Sequence, residues 1–417
     1  MRSSSAILRV SAFLAMGAGA LSCSDYLTVE NPSVIAIDEI DPMADATTLS
    51  NSAHQNFATA HGWLIMYSGW FTGETDVSET FPTRHDFGRR AIGPTNTNLN
   101  TDLWAPLSLA IASSYIVLEV NLPNPDANLD YVRARHALAW AYLFMAEQFC
   151  SGVARGGPEL NTAQLLDSAV VHFGAAVTGG NANNSAEGVA LARSALVGRA
   201  RARLQAGQKA GAVTDANAVP AGFTFNLLYF DDLSRRTRLG NRLWQFTADR
   251  GSIGVAPVWR VTDPRLKWRL APSNLLPQDG SYVLNRGAPH AVQDEYPAFN
   301  TPIRLASKLE ADYIAAEAQS TAAMLTLIQA RRSANDQPAY VGPTDAASVL
   351  AELEDQRGRE FYLEGKRLGD LRRNGPAVRY APAPGAPYWR PGAAPIGNQT
   401  CFPVPQVERD NNPNLSP

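Results

Sequence analysis

Apolar residues recur at every third or fourth position through much of this chain, which is the spacing of an amphipathic helix. The clearest stretch is YVRARHALAWAYLFMAEQF at 131–149, in which residues of high helix propensity dominate. The same pattern predicts helices at 44–66, 104–120, 131–149, 164–177, 186–206, 208–218, 302–319, 322–333 and 348–367. The sequence therefore predicts a mainly α fold.

Two neighbouring segments predict a helical hairpin. The helices at 186–206 and 208–218 meet at Gly207, and small residues such as Gly198 and Ala202 stand where two helices must approach closely. This arrangement is similar to the helix-turn-helix of a tetratricopeptide repeat. We therefore expect a scaffold of paired helices interrupted by long, loop-rich insertions.

Two long regions, 67–101 and 224–301, show no regular periodicity. Segments of this length without secondary structure are usually functional or disordered, and the aromatic content of these two argues against disorder. The first contains Trp70 and Phe81, and the second contains Tyr296 and several tryptophans. We predict that these regions form the binding surface.

Sugar binding would account for that composition. A sugar ring presents an apolar C–H face and a rim of hydroxyl groups, so its site needs an exposed aromatic platform beside hydrogen-bonding side chains. The candidate binding residues are Trp70, Asp76, Phe81, Arg84, Asn98 and, from the second irregular region, Tyr296. A structural alternative is that Trp70 and Phe81 cap the helix bundle, while Asp76 and Arg84 form a solvated ion pair.

The amino terminus predicts a lipoprotein signal peptide over residues 1–22. Arg2 and Arg9 flank a serine-rich start, and an apolar run follows at 6–21. That run is shorter than the roughly 20 residues that cross a bilayer, and it ends in small residues directly before Cys23, as a bacterial lipobox does. A cleaved signal peptide is the interpretation that fits these features.

Acylation of Cys23 would attach the mature chain to a membrane. We then expect a lipidated tether over 23–43 and a binding domain over 44–417; the alternative is a secreted protein in which Cys23 is incidental. In an oxidising compartment Cys150 and Cys401 could form a disulfide, but the sequence does not determine the distance between them.

Charge and hydropathy argue against other classes of partner. The net charge is -3 and no long Lys/Arg block occurs, whereas a nucleic-acid-binding protein normally carries a basic stripe. Beyond the signal peptide, no run is expected to be long and apolar enough to cross a membrane. We therefore predict no nucleic-acid partner and a soluble mature body.

Catalytic motifs are missing from the sequence, with no G-x-S-x-G, G-x-x-x-x-G-K-[ST], G-x-G-x-x-G or H-E-x-x-H. His54 and His61 lie about 10 Å apart along a helix, too far to share a zinc ion. Glu74, Asp76 and Glu79 have the chemistry of glycosidase carboxylates or calcium ligands, but neighbouring acids in a loop are mostly solvated. We predict a binding protein without cofactor or metal, not an enzyme.

The most distinctive motif is DQRGREFYLEGKRLGDLRRNG at 355–375. Arg357, Glu360, Glu364 and Arg367 recur at intervals of three or four, so they share one face of the predicted helix and can pair along it. We expect an ion-pair lattice that locks this helix against the body of the protein. The alternative is a ligand site.

This motif resembles the Arg-x-x-Glu-(apolar)-x-x-Glu-Gly-x-Arg-x-x-Asp-Leu-x-Arg signature of the SusD/RagB family of outer-membrane nutrient-binding lipoproteins. The matching positions are Arg357, Glu360, Glu364, Gly365, Arg367, Asp370, Leu371 and Arg373. The terminal segments CSDYLTVENP and CFPVPQVERDNNPNLSP fit the same family. IRLASKLEADYIAAEAQ also looks like a family helix, through Arg304 and residues 315–317.

The resemblance implies a SusD-like fold of tetratricopeptide-like helical pairs, with a glycan site in the loop after the first helix and a structural role for Trp104. It also implies capture without chemistry. An oligosaccharide or another oligomeric nutrient would pass to a SusC-like TonB-dependent transporter, with acylated Cys23 holding the protein to outer-membrane lipid at the cell surface.

Two alternatives remain open. One is a tetratricopeptide-like adaptor that binds a protein segment in a helical groove; a glycan-active hydrolase is the less favoured one. Exposed tryptophans in the regions 67–101 and 224–301 would favour a glycan, whereas an open groove with polar walls would favour a peptide.

Overall fold

The structure is a computed structural model that describes residue 41 and residues 43–415. The chain divides into a segment at Met1–Asp45 and a compact unit at Ala46–Pro417. The predicted signal peptide, Cys23 and nearly all of the predicted tether lie outside the described residues. The acylation of Cys23 therefore stays a prediction.

The described chain is mainly α, as the apolar spacing predicts. Its helices are α1 (Ala46–Thr72), α2 (Pro82–Gly88), α3 (Ala105–Glu119), α4 (Leu129–Gln148), α5 (Thr162–Asn183), α6 (Ala186–Gln205), α7 (Lys209–Ala218), α8 (Arg236–Leu239), α9 (Arg242–Trp244), α10 (Tyr282–Arg286), α11 (Lys308–Gln319), α12 (Thr321–Ala334), α13 (Ala346–Glu360), α14 (Arg367–Asn374) and α15 (Gln406–Asn411). A π-helical turn at Leu99–Trp104 leads directly into α3.

Eight short strands pair as four antiparallel two-stranded sheets in the described chain. The pairs are β1 (Thr75–Val77) with β5 (Ile253–Val255), β2 (Ser151–Gly152) with β3 (Leu160–Asn161), β4 (Thr224–Leu227) with β8 (Ile303–Ser307), and β6 (Trp268–Leu270) with β7 (Ala291–Gln293). The first pair joins the two regions that lack helical periodicity. Residues 303–307, predicted as the start of a helix, form β8, and Ser307 then caps α11 by accepting from the Glu310 amide at 3.2 Å.

The scaffold is a series of helical pairs joined by short connections. Helices α5 and α6 pack against each other, as do α6 with α7 and α11 with α12. The predicted close approach at Gly198 is present, because a Cβ there would lie only 2.2 Å from the Phe173 ring. Ser320 ends α11 and also caps α12 by accepting from the Ala323 amide at 3.2 Å.

The predicted helix at 348–367 is wrong in one respect, because α13 ends at Glu360 and α14 begins at Arg367. Between them the backbone enters the left-handed region at Leu363 and Gly365, with φ of 59° and 71°. Glu74 holds this turn, since its Oε1 accepts from the Leu363 amide at 3.0 Å. An isolated leucine gives no sequence signal for such a turn.

Charges of the motif do form a structural lattice, but Arg357, Glu360, Glu364 and Arg367 do not pair with one another along one helical face. Glu364 accepts from Arg304 at 2.6 Å and from Lys366 at 2.8 Å. Glu360 accepts from Arg265 at 3.1 Å and from Arg331 at 2.7 Å. The lattice therefore ties the turn between α13 and α14 to β8 and α12.

A disulfide links Cys150, after α4, to Cys401, with their Cα atoms 5.1 Å apart. This settles the pairing that the sequence left open. Hydrogen bonds from Arg90 also hold the segment before Cys401. The Arg90 guanidinium donates to the backbone oxygens of Pro382 and Gln399, each at 2.8 Å. The chain at 380–401 is therefore docked on the helical body.

One helical run in the described residues, Leu99–Glu119, is long and apolar enough to cross a membrane by length and composition, with 21 residues and a mean hydropathy of 1.3 over an 18-residue window. This corrects the expectation that no such run would occur. The run packs against α1 and α4 and buries Leu107 and Ile111 in the core. Core helices of soluble proteins meet the same criterion.

Candidate functional site

A cleft of about 460 Å³ opens where the end of α1 meets the segment at 380–396. Its other walls come from β1, α2 and α10. Its volume lies in the range typical of small-molecule sites, roughly 300–1,000 Å³. Its lining includes Asp76, Asn285, Arg286, Tyr380, Tyr388 and Trp389.

An ion pair between β1 and α10 forms the polar wall. Arg286 Nε donates to Asp76 Oδ2 at 2.8 Å, and the Tyr282 hydroxyl donates to the same oxygen at 2.9 Å. Burial opposes the charged form of Arg286, but the Asp76 carboxylate raises the pKa of that guanidinium. Burial, reinforced by Asp76, raises the pKa of Tyr282, so this phenol stays a donor. Both donors converge on Oδ2, which leaves Asp76 Oδ1 to accept from a ligand.

Three aromatic side chains of the 380–396 segment form the apolar side. Tyr380 is 44% exposed, and Tyr388 and Trp389 are partly buried with their rings 5.7 Å apart. The Trp389 Nε1 donor has no acceptor among the described residues. Aromatic faces beside hydrogen-bonding groups are the combination that a sugar ring requires.

His85 fixes the position of Tyr388. His85 Nε2 lies 2.5 Å from the Glu79 carbonyl oxygen, so it donates there, and Nδ1 accepts from the Tyr388 hydroxyl at 2.8 Å. Burial lowers the pKa of His85 to about 4, which keeps the ring neutral near pH 7. Tyr388 is therefore held in one orientation at the cleft wall.

Two glycines allow the aromatic segment to sit this close. A Cβ at Gly88 would lie 2.8 Å from the Tyr388 hydroxyl, and one at Gly73 would lie 2.9 Å from Pro382. Gly73 also has φ of 73°, which favours glycine. A larger side chain at either position would therefore clash with the docked segment.

Of the residues that the sequence predicts for the site, the structure brings Asp76 and Trp70 to this cleft. Trp70 does not form the exposed platform that was expected, because its side chain is only 1% exposed. It packs edge-on against Tyr67, with ring centroids 4.9 Å apart, in the core beneath the cleft. Trp70 lies on α1, which continues to Thr72 and carries this side chain into the core.

The other predicted residues do not line this cleft. Arg84 is buried and donates to both Glu79 oxygens at 2.9 Å, so it does not form the solvated pair with Asp76 that the alternative proposed. Phe81 is 48% exposed and lies under the Arg84 guanidinium, 5.2 Å away. Asn98 donates to Asp102 at 2.9 Å.

Tyr296 is buried next to β7, where its amide donates to Gln293 Oε1 at 2.8 Å. That position contradicts the expectation of an accessible binding aromatic. Trp104 is buried as expected, and its Nε1 donates to Glu408 at 3.0 Å. Both side chains therefore belong to the folded core.

Sequence reasoning missed Arg286, Tyr380, Tyr388 and Trp389. The available signal was the aromatic pair in APYWRPG, at 386–392, set among prolines and glycines in a segment without helical periodicity. This is the same kind of signal that identified the two earlier irregular regions. The pair indicates a third aromatic loop, which lies in the carboxy-terminal segment.

The three neighbouring acids do not converge on one point. Glu74 accepts from the Leu363 amide, Asp76 pairs with Arg286, and Glu79 pairs with Arg84. Within the described part of the chain, no group of three His, Cys, Asp or Glu side chains is placed to hold a metal ion.

No protein-family model matches this chain, and no curated protein matches its sequence. Solved structures do match. A SusD superfamily protein from Parabacteroides distasonis gives a TM-score of 0.65 at 14% identity, covering 89% of this chain and 98% of its own. A SusD-like carbohydrate binding protein from Bacteroides vulgatus gives 0.65 at 16% identity, covering 89% and 97%.

A laminarin-binding SusD-like protein also matches, with a TM-score of 0.56 at 12% identity, covering 89% of this chain and 98% of its own. At identities this low the similarity establishes only the fold. The similarity extends over nearly the whole of each matched chain. The predicted mainly α, SusD-like architecture is thereby confirmed, and this chain has the fold of the SusD superfamily.

Proposed function

We propose that this protein is a SusD-like binding protein that holds an oligosaccharide in the cleft between β1, α10 and the 380–396 segment. The observation that carries the proposal is the placement of Tyr380 and Trp389 beside the Asp76–Arg286 pair. Aromatic rings can stack on sugar faces while the charged pair and Asn285 bind hydroxyl groups. The sugar-binding names of two matched proteins support the same ligand class.

We further propose that binding occurs without chemistry at the outer cell surface, beside a SusC-like TonB-dependent transporter. Acylated Cys23 would hold the protein to outer-membrane lipid through the tether at 23–43. The support is the resemblance of the motif at 355–375 and of the amino terminus to the SusD/RagB pattern. The protein would then retain the glycan until the transporter takes it up.

A peptide-binding adaptor is the second candidate, favoured by a different groove. This groove measures about 410 Å³ and is lined by polar residues of α6, α11 and α14, among them Gln205, Glu317 and Arg373. Arg373, however, already donates to Glu317 at 2.7 Å. None of the residues that line this groove is aromatic, whereas four aromatic residues line the other cleft.

A binding screen separates these candidates. The protein and its Trp389→Ala variant would be applied to a glycan array that includes laminarin and to a peptide library. We expect the parent to retain glycans and the variant to lose them. Retention of peptides alone, by parent and variant equally, would replace the glycan proposal with the adaptor.

A further inference from the structure

Arg135, on α4, differs from the other partly buried arginines of the described chain, because it donates to no oxygen atom. The others reach carboxylates or carbonyls; Arg133, for example, donates to Glu187 at 2.7 Å, and Arg372 to the Ala146 carbonyl at 2.6 Å. The described hydrogen bond of Arg135 runs from Nη1 to His172 Nδ1 at 2.8 Å. A guanidinium has five N–H donors, so most of those on Arg135 are unused.

Arg135 lines a second cleft, of about 520 Å³, between the loop before α4 and one face of α5. Small residues of α5, Gly174, Ala175 and Gly179, form one wall, and the ring of Tyr131 forms part of another. This cleft shares no lining residue with the aromatic cleft. It is large enough to hold a sugar-sized molecule.

His172 holds the guanidinium in place. Its ring stacks on Tyr142, with centroids 5.7 Å apart and planes 6° from parallel. Burial, reinforced by Arg135, lowers the pKa of His172 to about 4, so the neutral ring can accept from Arg135 near pH 7. Because Nη1 is hydrogen-bonded to His172, the guanidinium is held in one orientation. Its remaining N–H donors therefore point in fixed directions.

In the described chain, no carboxylate balances the positive charge of the Arg135 guanidinium. Burial lowers the pKa of Arg135, and the groups that oppose this are the phenols of Tyr115 and Tyr131. Asp126 is an exposed lining residue of the same cleft, but it makes no ion pair with Arg135 within the described chain. Arg135 is therefore a partly desolvated cation without a carboxylate partner.

We propose that this cleft binds a small organic acid through its carboxylate, with Arg135 as the anchoring cation. A guanidinium matches a carboxylate with two parallel hydrogen bonds, and such charge-assisted bonds are about twice as strong as neutral ones. The exposed Thr178 hydroxyl on α5 is a further hydrogen-bonding group of the cleft. The ligand class is a sugar acid or a compound of similar size, bound at a site separate from the aromatic cleft.

Calorimetric titration with glucuronate and with glucose tests this proposal, because the two probes differ in the carboxylate. We expect glucuronate to bind at least tenfold more tightly than glucose. Arg135→Gln and Ala175→Trp should each weaken glucuronate binding at least tenfold; the second fills the exposed wall of the cleft and keeps the charge. Arg193→Gln, on the exposed face of α6, is the matched control and should bind as the parent does.

Trp389→Ala, which alters the aromatic cleft, should leave glucuronate binding unchanged. Equal affinity for the two probes would overturn the proposal. So would glucuronate binding that survives both Arg135→Gln and Ala175→Trp, or that disappears in Trp389→Ala. Inorganic phosphate that binds more tightly than glucuronate would also overturn it, since the site would then select a phosphate and not a carboxylate.

Discussion

Arg357 on α13 and Asp370 on α14 are joined across the turn that separates these helices, with Arg357 Nε donating to Asp370 Oδ2 at 2.7 Å. Both side chains are buried. Removing one partner of a buried ion pair is costly, because the other charge is left without compensation. The motif that the sequence marks most strongly therefore serves to hold the fold together.

Glu364→Ala tests this structural role. Glu364 is buried and accepts from Arg304 and Lys366, so its loss leaves Arg304 without a carboxylate partner and Lys366 with only the longer of its two ion pairs, to Glu310 at 3.4 Å. We expect a decrease in the free energy of unfolding of about 3–5 kcal/mol, measured by urea denaturation. Glu119→Ala breaks an exposed pair with Arg155 and should change stability by no more than about 0.5 kcal/mol. Equal stability of Glu364→Ala and the parent would refute the structural role.

Glu354 gives the lattice a dependence on pH. Burial, and then the neighbouring Asp370 carboxylate, raise the pKa of Glu354 from 4.5 to about 8 in the folded protein. Between these two values the folded state binds more protons than the unfolded state. The stability contributed by Glu354 therefore falls as pH rises from about 4.5 to about 8.

Glu354→Gln should remove that dependence, because its amide cannot ionise and its oxygen can still accept from Asn374. Urea unfolding at pH 5 and at pH 7.5 would measure it. We expect the variant to gain stability relative to the parent as pH rises. Histidines with lowered pKa values, such as His54, act in the opposite direction but are common to both proteins. A difference that does not change with pH would contradict the prediction.

The main helices could be predicted from the sequence because their signals are local. The capping box at α5, in which Asn161 and Gln164 bond reciprocally at 2.9 and 3.0 Å, is one such signal. The break after Glu360 could not be predicted, because it depends on Glu74, nearly 300 residues earlier in the chain, accepting from the Leu363 amide. A tertiary contact therefore determines where α13 ends.

The disulfide should stabilise both the fold and the cleft. Cys150→Ser with Cys401→Ser removes the covalent anchor behind the 380–396 segment. We expect a loss of about 2–4 kcal/mol in stability, together with weaker glycan binding. Thermal melts with and without reductant provide the measurement. A parent protein that melts identically in both conditions would show that the bond has no such role.

Cys23→Ala tests the proposed anchor. Each buried methylene of an acyl chain contributes about 0.8 kcal/mol to membrane binding, so its loss should release the protein. We expect the parent in the membrane fraction and the variant in the soluble fraction on immunoblots. If the variant remains in the membrane fraction, acylation of Cys23 is not the anchor.

The candidate site was only partly predictable. Asp76 could be identified because its region is irregular and rich in aromatic residues. The same composition also predicts an exposed Trp70, but this residue lies on the inward face of α1 and is buried. Composition alone does not reveal that burial. Tyr380 and Trp389 reach the cleft because Arg90 docks a segment some 290 residues away in sequence. Periodicity carries no information about such long-range docking.

Trp70→Ala should now behave as a core truncation. Its ring is buried against Tyr67, so we expect a loss of about 3–5 kcal/mol in stability. Circular-dichroism melts of this variant and of Trp389→Ala would separate the two roles. A Trp70→Ala variant that melts with the parent would restore the loop-platform interpretation.

The most direct test of glycan binding in the aromatic cleft is calorimetric titration of two variants, Trp389→Ala and Phe81→Ala, with a glycan retained in the array screen. Trp389 lines the cleft, whereas Phe81 is an exposed aromatic outside its lining. We predict at least tenfold weaker affinity for Trp389→Ala, about 1.4 kcal/mol, and parental affinity for Phe81→Ala. Parental affinity in Trp389→Ala with a loss in Phe81→Ala would contradict the placement of the site.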